Sequence, residues 1–162
     1  AGAPLSVATV LRLRDRHSFT GFAGTNLVYG AYDLTMTPSA ARWGERNLVL
    51  STPAIRWFIE QFVPDPSVHR DPAVSPLYAD LRGLPPALFT VGTLDPLLDD
   101  TLFVYGRWVA AGNEAELTVY PGGVHGFNLF PTALARSANA RIESSIHRVV
   151  QTGAAAVKTA PR

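Results

Sequence analysis

Residues 83–100, GLPPALFTVGTLDPLLDD, decide the fold. Between Pro86 and Gly92 stand Ala87, Leu88, Phe89, Thr90 and Val91, a short and almost unbroken apolar run of the kind that parallel strands, covered on both faces, display. Residues 99–111 then place Leu102, Tyr105 and Val109 on one helical face, and Gly112 supplies the residue that ends such a helix. Residues 116–120 (ELTVY) read as the next strand. Beyond them Leu134, Ala138, Ile142, Ile146 and Val150 recur every four residues as a final amphipathic helix. Strand, helix, strand, helix requires right-handed crossovers and yields a parallel sheet, hence an α/β fold.

Working back toward the start, residues 3–16 mix Leu5, Val7, Ala8, Val10, Leu11 and Leu13 with a polar end, as a mostly buried helix would. Residues 22–29 form a short apolar run bounded by glycines and read as a buried strand, the third in the sheet. Residues 35–64 are divided by Pro38, Pro53 and Pro64. Within them Thr52 precedes Pro53, a helix start, and Ile55, Phe58, Ile59 and Phe62 follow at helical spacing, so this stretch reads as an inserted cap segment. Six prolines between Pro64 and Pro86 predict an irregular connection, and residues 152–162 read as a tail.

Bulk properties narrow the function. With 47% hydrophobic and 17% charged residues in 162, the chain has the profile of one globular domain. A net charge of +1 provides no field to attract nucleic acid or anionic lipid. The absence of Cys excludes disulfide scaffolds, thiolate metal sites and cysteine nucleophiles. His17, His69 and His147 lack partners at metal-ligand spacing, and no cofactor or metal is expected. The apolar first eleven residues are followed, not preceded, by Arg12, Arg14 and Arg16, so they do not read as a signal peptide. No apolar stretch approaches the ~20 residues needed to span a bilayer. The expectation is a soluble protein with the cytoplasm as its default location.

In a parallel α/β sheet, reactive groups gather in loops at the carboxyl ends of the strands. Two such loops carry chemistry here: residues 92–100 with Asp95, and residues 121–127 with His125. Adjacent strands lie about 4.8 Å apart, so an Asp and a His on neighbouring loops reach hydrogen-bonding distance. A carboxylate on one imidazole nitrogen fixes the tautomer and leaves the other nitrogen to take a proton from a hydroxyl. The residues alone leave two alternatives open, an Asp that caps a turn and a His that is structural. Asp99 and Asp100 are expected to cap the helix that follows them.

Three segments in order, residues 71–81 (DPAVSPLYADL), 83–100 and 120–127 (YPGGVHGF), resemble the hormone-sensitive-lipase-like esterases, the fold-3 group of α/β hydrolases. The resemblance runs from about residue 1 to residue 150 and corresponds to the C-terminal half of a family domain: a partial α/β-hydrolase fold, with about three parallel strands, flanking helices and part of a helical cap. It implies Asp95 as triad acid and His125 as triad base. It also implies a small ester as substrate, and either a homodimer through the last strand and helix or a complementing N-terminal half as partner. Trp43, Trp57, Phe58 and Phe62 are large apolar residues that either line an acyl pocket beneath the cap or pack against the body.

Two family features have no counterpart in the 162 residues. No Ser has Gly two positions before and two after it, and no H-G-G-G segment is present. Ala1 and Gly2 match the last two letters of the family's G-D-S-A-G nucleophile elbow, which implies the backbone of Ala1 as an oxyanion-hole position. The expectation is therefore a carboxylic ester hydrolase of the serine type, inactive as this chain alone. The alternative is a truncated, non-catalytic remnant that serves as a binding or assembly module.

Overall fold

A computed structural model describes residues 2–159, with side chains through residue 151. Helix α1 (Gly2–His17) leads into strand β1 (Thr25–Val28), followed by α2 (Pro38–Arg42) and α3 (Thr52–Phe62). Strand β2 (Ala87–Leu94), α4 (Leu98–Ala110), β3 (Ala115–Val124) and α5 (Ala133–Thr159) complete the order, with single 3-10 turns at Pro66–Val68, Pro76–Tyr78 and Phe127–Leu129. The strands form one parallel sheet in the order β1-β2-β3, Thr25 opposite Ala87 and Ala87 opposite Ala115. A three-stranded parallel sheet with helices between its strands is the α/β arrangement that the strand and helix order predicts.

Side-chain alternation assigns the helices to faces. Leu27 and Phe89 share a core with Val7, Val10 and Leu11 of α1 and with Val104 and Trp108 of α4, so these two helices cover one face. Phe89, Val104 and Trp108 are completely buried, and Trp108 also donates its indole N–H to Pro85 O at 3.2 Å. Each such side chain contributes about 1.5–3 kcal/mol by leaving water. Tyr120, on the opposite face from Leu117, packs with Phe127 and with Ala138 of α5. Glu116 ties β3 to α5 through Arg148 at 2.5 Å and through Arg141. No helix among the described residues is long and apolar enough to cross a membrane.

Three boundaries differ from the sequence reading for identifiable reasons. Strands β2 and β3 run three and four residues past their apolar cores, to Leu94 and Val124, because pairing resumes between Leu94 and Val124 after a break in register. In α3 the cap is Ser51, whose Oγ accepts from Ala54 N at 3.4 Å, while the Thr52 hydroxyl donates to Ala40 O at 2.7 Å. Helix α5 continues to Thr159, through eight residues of the expected tail, with no proline before Pro161 to stop it.

Candidate active site

Asp95 is the first residue after β2 and His125 the first after β3. The two strands lie close enough to join them because of glycine. An added Cβ on Gly92 would fall 2.0 Å from Gly123 O, so only a bare backbone fits at that crossing. Just beyond it the register breaks: Gly92 pairs with Tyr120 and Leu94 with Val124, so Pro121, Gly122 and Gly123 stand opposite Thr93 alone. A bulge of this kind bends its strand and re-aims the next side chain. Gly122, at φ +76°, supplies a left-handed turn, and its N–H donates to the Thr93 hydroxyl at 2.9 Å.

The outcome is an Asp–His pair. His125 Nδ1 lies 3.0 Å from Asp95 Oδ2, with the carboxylate fully buried and the ring 23% exposed. Asp95 Oδ1 accepts from Leu97 N at 2.9 Å, so both carboxylate oxygens are engaged. Burying a carboxylate costs free energy unless it is hydrogen-bonded, and here each oxygen has a partner. The Tyr29 ring, at the end of β1, meets the imidazole edge to face with centroids 4.6 Å apart. Burial first, and then the charge of Asp95, push the Tyr29 phenol above its ordinary value, keeping it a neutral donor. An imidazole held in this way presents one ring nitrogen to the carboxylate and leaves the other edge for proton transfer.

A second buried carboxylate braces the loops beneath the pair. Asp100 Oδ1 accepts from Tyr32 N at 2.7 Å and Asp33 N at 3.0 Å, and Oδ2 accepts from the Thr37 hydroxyl at 2.5 Å. Burial pushes this carboxyl up to about 7, against the lowering effect of its three donors, and the nearby Asp33 adds to the rise. Neither Asp99 nor Asp100 caps α4. Asp99 Oδ2 instead accepts from Ser39 N, near the start of α2, because the loop after β1 brings foreign N–H groups to both carboxylates.

A family profile described as alpha/beta hydrolase fold matches residues 1–129. The chain belongs to the α/β hydrolases. An esterase of Acinetobacter venetianus is 33% identical over 130 residues, which span 80% of this chain and 43% of that protein. Among solved structures, a hyperthermophilic esterase from the archaeon Pyrobaculum calidifontis superposes with a TM-score of 0.86 at 30% identity, over 93% of this chain and 50% of its own. A thermophilic carboxylesterase from a metagenomic library gives 0.85 at 28%, covering 92% and 52%. A hormone-sensitive lipase from a metagenome library gives 0.74 at 28%, covering 92% and 50%. This α/β hydrolase of the hormone-sensitive-lipase-like group thus spans about half the length of the relatives it matches.

Of the residues singled out from the sequence of this hydrolase, Asp95 and His125 come together. Ala1 lies outside the described residues. Trp57, Phe58 and Phe62 are each more than half exposed on α3, whose opposite side, through Ile55 and Ile59, packs with Leu97 two residues after Asp95. Tyr29, Ser39, Asn128 and Asn139 escaped the sequence reading. Asn128 lies just past the H-G-F motif, which is the one local signal; the others meet the site only through tertiary contacts.

Proposed function

We propose that Asp95 and His125 are the acid and base of a serine-hydrolase triad that cleaves carboxylic esters. The buried 3.0 Å contact between Asp95 Oδ2 and His125 Nδ1 carries this reading. In it, His125 takes the proton of an attacking serine, Asp95 holds the tautomer and stabilises the imidazolium, and His125 returns the proton to the leaving alcohol. Water then repeats the sequence on the acyl-enzyme. The esterases and carboxylesterases among the relatives support the reaction class.

The nucleophile in this reading is a serine in a G-x-S-x-G elbow, which none of the 162 residues supplies; ester turnover in this reading requires a segment that carries that elbow. Several hydroxyls present are committed elsewhere: Ser6 donates to Gly2 O, Ser39 to Pro96 O and Ser75 to His69 O. The backbone N–H of Ala1 belongs to the oxyanion hole in this reading. Trp57, Phe58 and Phe62 provide apolar surface for the acyl chain, carried on a helix that packs against the Asp95 loop.

Fluorophosphonate labelling followed by peptide mapping tests the assignment. The expected adduct is on an elbow serine outside these 162 residues and is lost in His125→Ala. An adduct on Ser39 or Ser75, or labelling that survives His125→Ala at the parent rate, would overturn it.

A further inference from the structure

We infer that Tyr29 is a positioning residue for His125, holding the imidazole against rotation through a tether to α5. The inference rests on the reading of His125 as the base, and concerns what fixes its ring. The covalent bond at Cγ and the hydrogen bond from Nδ1 to Asp95 leave the ring able to tilt about the line that joins those two points. The Tyr29 ring supplies the second constraint, packed at 4.6 Å with planes inclined by 60°.

Tyr29 is itself held from three directions. Its backbone N–H donates to Thr90 O at 2.8 Å on β2. Its hydroxyl donates to Asn128 Oδ1 at 2.6 Å, three residues past His125. Asn128 in turn is clamped by Asn139 of α5, donating Nδ2–H to Asn139 Oδ1 at 3.2 Å and accepting Asn139 Nδ2–H on its carbonyl at 3.0 Å. The ring also makes an edge-to-face contact with Phe127, centroids 6.4 Å apart.

The backbone at Tyr29 adds an independent sign. Its φ is +38°, a left-handed conformation that a bulky residue adopts only where the surroundings over-determine it. That conformation turns the chain at the end of β1, where the ring lies against His125 instead of continuing the strand. Glycine would take the same backbone at no steric cost, so the side chain is what the position requires.

The experiment uses protein labelled with 15N-histidine and reads the His125 Nδ1–H proton, assigned by its loss in His125→Gln. In the parent this proton gives a downfield, slowly exchanging resonance, as a shielded donor to a buried carboxylate does. Tyr29→Leu removes the second constraint and is expected to broaden that resonance beyond detection, while the His69 and His147 signals stay in place. Tyr29→Phe keeps the ring without the tether and is expected to give an intermediate exchange rate, as is Asn128→Ala, which leaves Tyr29 intact should the Leu variant fail to fold.

On an ester substrate, with the elbow serine supplied, the same variants are expected to lower kcat about 10-fold with little change in KM, as small misplacements of a reacting group do. A His125 resonance in Tyr29→Phe and Asn128→Ala with the parent's position and exchange rate would overturn the inference, whether or not the protein turns over ester. Absence of ester turnover in protein that includes the elbow serine, with the expected resonance changes, would count against the esterase reading alone.

Discussion

Ser39 and Asp99, 60 residues apart in sequence, exchange hydrogen bonds reciprocally. Ser39 N donates to Asp99 Oδ2 at 2.8 Å and Asp99 N donates to Ser39 Oγ at 3.0 Å. The geometry is that of a capping box, built between two helices instead of within one. The Ser39 hydroxyl also donates to Pro96 O at 2.7 Å, so α2 is fastened to the residue that follows Asp95. Ser39→Ala leaves Asp99 N and Pro96 O without this partner and is expected to lower stability by about 1–2 kcal/mol. Urea unfolding measures it, with a midpoint equal to the parent's as the contrary result.

The crossing of Gly92 and Gly123 leads to a paired prediction. Gly92→Ala forces a Cβ into the Gly123 carbonyl and is expected to separate β2 from β3 and destroy the Asp95–His125 contact. Gly106, inside α4 with open space beside it, is the control. Gly106→Ala is expected to gain about 0.5–1 kcal/mol from helix propensity. Thermal unfolding of the two variants should shift in opposite directions.

Asp100 makes stability depend on pH with a defined sign. Its carboxyl titrates near 7 in the folded chain against 3.8 unfolded, so the folded state holds a proton that the unfolded state has lost between those values. Its contribution is fully present below about pH 3.8 and disappears as pH rises through 7, a change of roughly 4 kcal/mol at most. Asp100→Asn keeps the acceptor for Tyr32 N and Asp33 N without a charge. The difference in unfolding free energy between variant and parent should grow in the variant's favour from pH 4 to pH 8. A difference that stays constant across that range would refute the assignment.

Replacing Asp95 by Asn preserves shape and removes the charge that holds the imidazole tautomer. In the triad completed by the elbow serine this is expected to reduce kcat by about 10³–10⁴-fold with KM little affected. Steady-state kinetics on a short-chain p-nitrophenyl ester measure the change, and a loss of less than 10-fold would contradict a triad role for Asp95.

Much of this arrangement is local and so legible in the sequence. The apolar run Ala87–Val91, the four-residue recurrence from Leu134 to Val150 and the glycines around His125 each reflect constraints acting within a few residues, namely burial, helical period and backbone freedom. They suffice for a parallel α/β unit with Asp95 and His125 at neighbouring strand ends. What no local pattern contains is which distant group each polar side chain meets. Asp100 reads as a helix cap until the loop after β1 delivers Tyr32 N, Asp33 N and Thr37 to it. Tyr29 reads as the last residue of a strand until a positive φ turns it onto His125. Sequence alone determined the elements and set Asp95 and His125 at neighbouring strand ends, because periodicity and glycine placement act at short range, while their roles as acid and base were implied only by the family resemblance. Tertiary structure alone decided the distances and the bracing network, because hydrogen bonds between residues 60 to 100 positions apart exist only once the sheet and its helices have packed.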